Sequence, residues 1–273
     1  MPLAYDAVII GSGPNGLAAG IHLAQQGWKT LILEGAPTIG GGTRTKELTL
    51  PGFRHDVCSA VHPMGLASPF FKSLNLEAHG LRWIQPDLPL AHPLEGDRAA
   101  ALYRTVEETA AHLGSDGRRY HWLFDTLVKH APTLFPDMLA PASLPRHPLL
   151  MARFGMAAML PATVLARYFK TEEARALLAG NAAHSILPLE RPFTSAIGLA
   201  LQVCAHAYGW PAPEGGSQAI AEALANVFRQ AGGEIEVNRS VRSMADLPEA
   251  RAYLFDISPR NLSIIAGAAL PDR

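Results

Sequence analysis

The chain has 273 residues, enough to bury a large core in one or two domains, and its 48% hydrophobic content excludes an intrinsically disordered protein. A net charge of −1, with no basic stripe, gives no electrostatic basis for nucleic-acid binding. The first predicted strand begins by about residue 5 and leaves no room for a cleavable signal, so we expect a cytoplasmic protein. The two cysteines, Cys58 and Cys204, lie outside any CxxC motif, which excludes a dithiol redox centre.

The first element in chain order is a buried strand that leads into a glycine-rich turn and a helix. The apolar residues of 6–10 run together, as in a parallel strand that is buried on both faces. Gly11 permits a tight turn, Gly13 lets the backbone approach a pyrophosphate, and Gly16 lets the helix pack closely on the strand. The helix, predicted over 14–26, directs free N–H groups and its positive dipole end towards that phosphate.

A second strand is predicted over 29–34, and it ends in an acidic residue. Glu34 follows the glycine motif at the distance typical of the acid that binds the adenosine ribose of a dinucleotide. A carboxylate at this position disfavours a 2′-phosphate, and therefore NADP. The alternative is a glycine-rich turn in an unrelated α/β domain, which leaves the position of this acid to coincidence.

A second glycine cluster follows the acid, in the sequence Gly40-Gly41-Gly42-Thr43-Arg44-Thr45. Its bare backbone can approach a ligand, and Arg44 can add a charge for pyrophosphate oxygens. NAD-dependent dehydrogenases have no standard need for such a cluster, whereas the extended FAD of two-domain flavoproteins needs a second backbone cradle. The alternative is a mobile surface loop.

From residue 68 to residue 208 the pattern becomes mainly helical, with prolines between the helices. A short strand pair is predicted between 81–84 and 99–103. The apolar stretch 149–169 predicts a buried helix pair or, alternatively, helices that lie in a membrane interface or wall an apolar substrate tunnel. Helices are predicted over 69–76, 105–113, 117–134, 148–160, 162–169, 172–183 and 193–207.

The α/β pattern then returns. Ser258 and Pro259 suit the cap and first position of a short final helix. The sequence therefore predicts an α/β fold in which a Rossmann-like domain with a parallel sheet, formed by 1–67 and 209–273, is interrupted by a mainly helical insertion over 68–208. The other elements predicted in the last segment are a helix from 217 to about 231 and strands over 234–237, 241–244 and 251–257.

These motifs resemble a known family. The motifs GSGPNG, LILE, GGGTRT and PGFRHDVCSAVHP within 6–63 are similar to those of the phytoene desaturase-like, FAD-dependent oxidoreductases. The similarity is greatest to the branch called pyridine nucleotide-disulfide oxidoreductase domain protein 2. The motifs WPAPEGGSQ, GGEI and LFDISPR, within 210–260, follow the same family order.

The resemblance implies that FAD is the cofactor. Val241 falls where family members grip adenine with backbone atoms. His55, Asp56, Ser59 and His62 fall where the chain passes the flavin ring, with ordinary turn hydrogen bonding as the alternative for Asp56 and Ser59. The implied cofactor-binding residues are Gly11, Gly13, Pro14, Asn15, Gly16, Glu34, Gly41, Gly42, Arg44, Thr45 and Val241.

Members of this family continue beyond the length of this chain, and near their carboxyl end they carry a further glycine-rich segment that completes the flavin pocket. No glycine cluster follows Gly233 in this sequence. The resemblance therefore implies that the chain lacks the C-terminal half of the family fold. A second chain that supplies this half is a candidate partner.

The first functional hypothesis is an FAD-dependent oxidoreductase whose flavin accepts a hydride from an apolar small-molecule substrate, as in desaturases, dehydrogenases and isomerases. A non-catalytic dinucleotide-binding or interaction module and an NAD-dependent dehydrogenase are the alternatives. No catalytic acid–base pair is recognisable, and we expect no metal site because no HExxH or HxH motif occurs. Peripheral membrane contact is a further hypothesis. Apolar side chains that suit a substrate wall or, as we favour, a plain core are Met151, Met156, Met159 and Leu160.

Overall fold

A computed structural model describes residues 3–141 and 143–270, with the side chain of Ala268 left out. The strands are β1 (Tyr5–Ile10), β2 (Thr30–Leu33), β3 (Thr45–Glu47), β4 (Arg54–Asp56), β5 (Trp83–Ile84), β6 (Leu90–Pro93), β7 (Ala99–Leu102), β8 (Ala212–Pro213), β9 (Glu234–Glu236) and β10 (Ala250–Phe255). The α-helices are α1 (Pro14–Gln25), α2 (Pro63–Ala67), α3 (Pro69–Ser73), α4 (Val106–His112), α5 (Gly117–Lys129), α6 (Ala131–Met138), α7 (Pro148–Ala158), α8 (Ala162–Leu165), α9 (Glu172–Ala182), α10 (Thr194–Tyr208), α11 (Gln218–Gln230) and α12 (Pro259–Ala266).

The chain forms two compact units, each built from separate segments. Unit 1 comprises Met1–Val61, Leu74–Ile84 and Ala212–Arg273, and unit 2 comprises His62–Ser73 and Gln85–Pro211. The predicted insertion over 68–208 differs from unit 2 in three places: 62–67 and 209–211 belong to unit 2, whereas 74–84 packs within unit 1. There, the backbone N–H of Glu214 donates to the carbonyl of Arg82 (2.9 Å).

A parallel sheet with the strand order β10-β1-β2-β9 forms the centre of unit 1. Strand β1 pairs with both β10 and β2, so it is a central strand of the sheet and Ile9 lies beside Leu254 and Ile32. Residues 7–10 of this strand are buried, as its continuous apolar run predicts. On one face of the sheet, Val8 and Leu31 are fully or almost fully buried in an apolar cluster. Helices α1 and α11 contact each other, and Gly20 of α1 allows the close approach, since a Cβ there would lie 3.0 Å from Phe228.

Two predicted features of the strands are wrong. Strand β5 pairs with β8, and β7 pairs with β6, so the predicted pairing of 81–84 with 99–103 does not occur. The β6 segment, Leu-Ala-His-Pro, is short and ends in proline, which obscures its strand pattern. The structure describes residues 241–244, and the strand predicted there is absent. Instead, Met244–Asp246 forms a 3₁₀ turn. The side chains of Ser243 and Asp246 cap this turn, because each bonds to the backbone of the other residue.

Unit 2 is mainly helical, and the buried helix α10 is its centre. Helices α9, α2, α7 and α5 all contact α10. A Cβ at Gly198 would lie 3.1 Å from the Cβ of Ala182, so this glycine allows α9 and α10 to approach closely. The helix predicted over 117–134 is two helices, because the chain breaks at His130 and restarts with Pro132 in the first turn of α6.

Some apolar side chains of α7 face solvent. Met156 of α7 and Met159, which follows the helix directly, are 67% and 55% exposed, so the preferred interpretation of these two methionines as plain core is wrong. The inward-facing residues of α7 are Phe154 and Ala158. Within the described residues, no single helix has both the length and the apolarity needed to cross a bilayer. The pair Pro148–Ala158 and Ala162–Tyr168, bent by 91°, reaches the required length and apolarity only when the two helices are taken together.

Candidate dinucleotide site

A cavity of about 770 Å³ lies in unit 1 at the carboxyl ends of β1, β2 and β10. Open parallel sheets place ligand sites at these ends. Five segments line the cavity, and its walls contain most of the residues that the sequence analysis proposed as cofactor-binding. These are Gly11, Gly13, Pro14, Asn15, Glu34, Gly41, Gly42, Arg44 and Val241.

The glycine turn between β1 and α1 forms the floor of the cavity. Gly11 has a φ of 103°, which glycine adopts without a steric penalty, and a Cβ at this position would collide with the carbonyl of Asp256. A Cβ at Gly13 would lie 2.8 Å from Oδ2 of Asp256. Gly16 is buried beneath the turn and does not line the cavity; a Cβ there would collide with the carbonyl of Gly11. The turn is therefore packed so closely that none of the three glycines can carry a side chain without a shift of its neighbours.

The carboxylate of Glu34 lies at the cavity wall, and donors of the protein surround it. Oε2 accepts hydrogen bonds from the backbone N–H of Ser12 (3.1 Å) and from the Ser12 hydroxyl (2.5 Å). Oε1 accepts from the N–H of Ala36 (2.8 Å) and pairs with the Arg44 guanidinium (3.3 Å). Glu34 is only 7% exposed, so these bonds replace much of the hydration of its charge. Its proposed contact with ribose stays a prediction.

The second glycine cluster folds against the first. Gly40 and Gly41 both have positive φ values, 113° and 54°, and a Cβ at Gly41 would lie 3.1 Å from the Cα of Gly13. This contact brings Arg44 to the cavity, where its guanidinium pairs with Glu34. Among the described residues, the buried Nε of Arg44 has no hydrogen-bond partner. A buried, unsatisfied donor at a cavity wall suits an anionic ligand.

The segment 239–242 reaches the same cavity from the far end of the chain. The N–H of Arg239 donates to the carbonyl of Glu34 (2.9 Å), and the N–H of Asn238 donates to the carbonyl of Ala36 (2.9 Å). These bonds hold Val241 at the cavity wall with its neighbours Arg239 and Arg242. Val241 is the residue of this segment that the sequence predicts in the site, whereas Arg239 and Arg242 were not predicted.

Thr45 does not line the cavity. Its hydroxyl donates to Oδ1 of Asp56 (2.6 Å) and accepts from the N–H of Gln218 at the start of α11 (3.0 Å). The N–H of Ser217 also donates to Oδ1 of Asp56 (2.8 Å), and its hydroxyl donates to the carbonyl of Ser59 (2.6 Å). These bonds agree with the alternative of ordinary turn hydrogen bonding for Asp56 and Ser59.

The two histidines proposed to lie near the flavin ring do not line the cavity either. His55 is within hydrogen-bonding distance of the Thr49 hydroxyl (2.8 Å) in unit 1. His62 belongs to unit 2, where its backbone N–H donates to the carbonyl of Pro211 (2.8 Å).

Sequence reasoning also missed Ser12 and Asp256. The side chain of Ser12 is fully buried and bonds to Glu34, although in the sequence it is only the variable residue of the glycine motif. Asp256 follows β10, lines the cavity and accepts a hydrogen bond from the N–H of Gly16 (2.8 Å). Its place directly after a strand of the parallel sheet was a usable signal, because ligand sites lie at the carboxyl ends of such strands.

Comparisons with known proteins agree with this geometry. Residues 9–74 match the model of the NAD(P)-binding Rossmann-like domain. The chain is 29% identical over 252 residues to a 4,4'-diapophytoene desaturase of Methylomonas sp, covering 87% of this chain and 48% of that protein. It is 26% identical to the pyridine nucleotide-disulfide oxidoreductase domain-containing protein 2 of Rattus norvegicus, covering 90% of this chain and 49% of that protein. A shorter match, 35% identical over 38% of this chain and 19% of the relative, is to one of the limonene dehydrogenase subunits of Castellaniella defragrans.

Solved structures share the fold. A putrescine oxidase structure superposes with a TM-score of 0.62 at 19% identity, covering 98% of this chain and 61% of that one. A fatty acid isomerase from P. acnes superposes with a TM-score of 0.59 at 17% identity, covering 96% and 60%.

These findings confirm the predicted resemblance to the phytoene desaturase-like oxidoreductases and the predicted α/β fold with a Rossmann-like domain. The chain spans about half the length of the curated relatives that it matches over most of its own length.

Proposed function

We propose that this chain is the dinucleotide-binding part of an FAD-dependent oxidoreductase, and that unit 1 holds the adenosine diphosphate end of FAD. One observation carries the proposal: the first glycine turn, the second glycine cluster and the segment 239–242 meet around one cavity. The second cluster favours FAD over NAD, because an extended flavin dinucleotide needs a backbone cradle beyond the first turn.

The residues present fit a dinucleotide. Gly13 and Gly41 line the cavity with bare backbone, where an added Cβ would press on Asp256 or on Gly13, and the cavity wall holds an unsatisfied buried donor, Nε of Arg44. Anionic phosphate suits both features, since it accepts from backbone N–H groups at a helix start and from guanidinium.

Each wall of the cavity supports a distinct task. Pro14 and Asn15 begin helix α1, whose dipole favours the diphosphate, and Arg44 contributes a cation held in place by Glu34. Val241 offers backbone atoms to adenine, as the family resemblance implies. Glu34 has two tasks in this proposal: it orients Arg44 and accepts a bond from the ribose.

FAD, when bound, supplies hydride acceptance, and we extend the proposal to an apolar substrate as the hydride donor. Support for the substrate class comes from two relatives, of which one is named as a diapophytoene desaturase and the other as part of a limonene dehydrogenase. The contribution of this chain is to bind and orient the cofactor rather than to provide an acid–base pair.

The test is a binding series on the purified chain, with apo-protein titrated separately with FAD, FMN, ADP and NADH. We expect a flavin absorption band in protein reconstituted with FAD, competition by ADP, and no comparable binding of FMN, which lacks the adenosine end. Tighter binding of NADH than of FAD would support an NAD-dependent dehydrogenase instead. Failure of both FAD and ADP to bind would refute the assignment of the cavity.

A second candidate is a dinucleotide-binding module that is inactive alone and acts with a second polypeptide. The observation that favours it is coverage, because about half of each long-matched relative has no counterpart in this chain. This candidate predicts that the chain alone binds FAD but shows no oxidase or dehydrogenase turnover. Turnover that appears only after a second polypeptide is added would support it over an independent enzyme.

A further inference from the structure

Asp256 lies where the three motif glycines converge. Its Oδ2 would be 2.8 Å from a Cβ at Gly13 and 2.9 Å from a Cβ at Gly16, and its backbone carbonyl would collide with a Cβ at Gly11. The missing side chains of the motif therefore make room for Asp256 as well as for a ligand. Its backbone N–H, which donates to the carbonyl of Ile10 (2.8 Å), fixes this position.

The carboxylate of Asp256 uses one of the few donors at the start of helix α1. Gly13 is the N-cap and provides no side-chain cap, and Pro14 has no N–H. The N–H of Gly16 donates to Asp256 (2.8 Å). Within this first turn, the N–H of Asn15 is left for a ligand at the cavity, and the first turn contains no acidic residue of its own.

The same carboxylate puts a negative charge beside the place where the helix dipole attracts an anion. An anionic ligand group at this helix start is stabilised by the helix dipole but repelled by the charge of Asp256. Arg44 offsets this repulsion only in part, because its guanidinium is already paired with Glu34 (3.3 Å).

We propose that Asp256 determines the charge selectivity of the cavity: it holds the glycine turn through Gly16 and lowers the affinity of the site for each negative charge that a ligand brings to helix α1. The inference rests on the proposed function, since it concerns the same cavity. A nucleoside diphosphate with a free terminal phosphate carries about one more negative charge than the diphosphate diester of FAD. The site therefore selects dinucleotides against free nucleoside diphosphates.

The variant Asp256→Asn tests this inference, because asparagine keeps an oxygen for the N–H of Gly16 and removes the charge. Calorimetric titration with adenosine, FAD and ADP provides a series of rising ligand charge. We expect unchanged affinity for adenosine, a gain of about fivefold for FAD, and a larger gain for ADP, each gain shrinking as salt is added. The apo-variant should melt slightly earlier, because it loses a charge that favours the start of α1.

The matched control is Glu249→Gln, which removes one exposed charge from unit 1 at a residue that does not line the cavity. It should leave all three affinities unchanged. A second variant, Asp256→Ser, also removes the charge with a smaller side chain and covers the case in which the asparagine variant does not fold. It should likewise narrow the preference for FAD over ADP.

Equal changes for all three ligands, or weaker FAD binding in both Asp256 variants, would overturn the inference and leave the proposed function standing. If the unmodified protein binds neither FAD nor ADP, the proposed function fails and this inference fails with it. If Asp256 has a purely structural role, its variants should melt earlier and bind FAD and ADP more weakly, whereas the inference predicts tighter binding of both.

Discussion

The cavity of unit 1 and the buried network around Tyr120 in unit 2 use their polar groups in opposite ways. In unit 1, the N–H groups of a glycine turn and the guanidinium of Arg44 lie at the wall of a cavity. In unit 2, one buried group of polar side chains is internally paired: the Tyr120 hydroxyl lies 2.7 Å from Nε2 of His206 and donates to Gln202 (3.2 Å). A self-satisfied network specifies packing, whereas donors that lie at a cavity wall indicate a ligand.

Burial keeps the unit 2 groups uncharged. It lowers the pKa of His206 from 6.5 to about 4, raises the pKa of the Cys204 thiol to about 12, and raises the pKa of Tyr120. Cys204 is therefore an inert thiol near neutral pH. Perturbed pKa values often mark catalytic sites, but here desolvation is their main cause, and Tyr120 and His206 are paired with each other, so they indicate a structural core.

The largest expected effect separates the two units by ligand binding. Gly13→Val should weaken FAD binding by about 100-fold or more, roughly 3 kcal/mol, because its side chain would collide with Asp256 at the cavity wall. Helical circular dichroism should be unchanged. The control is Gly155→Ala in α7, where the described surroundings leave open space for a Cβ. Retained FAD affinity in Gly13→Val would count against the site.

The next effect is a pH dependence of stability that originates in unit 2. The folded pKa of His206, about 4, lies below its unfolded value of 6.5, so the unfolded chain binds the proton more readily. Its contribution to the free energy of unfolding is complete above pH 6.5 and decreases by about 3 kcal/mol as the pH falls to about 4.

Urea unfolding at several pH values measures this change, with His206→Gln as the control that lacks the titrating group. The stability difference between the unmodified protein and this variant should narrow on acidification. A difference that stays constant between pH 6.5 and pH 4 would show that His206 is not held neutral by burial.

A smaller effect tests whether the unit 2 network is only structural. Tyr120→Phe leaves His206 and Gln202 without their shared hydroxyl, which should lower the free energy of unfolding by about 1–3 kcal/mol. The dissociation constant of FAD should not change, because the variant alters no residue of the cavity. If fully folded Tyr120→Phe protein binds FAD severalfold more weakly, the network in unit 2 is not purely structural and the contrast between the units fails.

The smallest effect concerns the cation at the cavity. Arg44→Lys keeps the charge and loses the forked donor geometry, so FAD should bind about fivefold more weakly, roughly 1 kcal/mol. The matched control is Arg98→Lys in unit 2, where the arginine bridges Glu172 and Glu173 at the surface. Identical FAD affinities for the unmodified protein and Arg44→Lys would remove Arg44 from the proposed site.

The parts of the fold that were predicted correctly depend on neighbours in the sequence. Helix α12 begins as predicted, since Ser258 accepts from the N–H of Asn261 (3.3 Å) and Pro259 follows it. Strand β1 and helix α1 also agree with their patterns to within one residue. Local capping and turn chemistry act over a few residues, so a single sequence contains them.

The incorrect predictions concern partners that are distant in sequence. The residues of 81–84 suit a strand, but they cannot specify that β5 pairs with β8 rather than with β7. Likewise, the exposure of Met156 and Met159 depends on which neighbours cover α7, and composition contains no such information.

The sequence by itself determined the glycine turns, the acid at the end of β2 and the split order of the Rossmann-like segments, because each is a local response to backbone geometry. Only the tertiary structure revealed that Asp256 enters the glycine turn, that Ser12 and Arg44 surround Glu34, and that Thr45 instead binds Asp56. Those contacts join segments up to 240 residues apart. The identity of a side chain does not reveal which distant residue it will contact, because the contact forms only when the parallel sheet brings the strand ends to one edge.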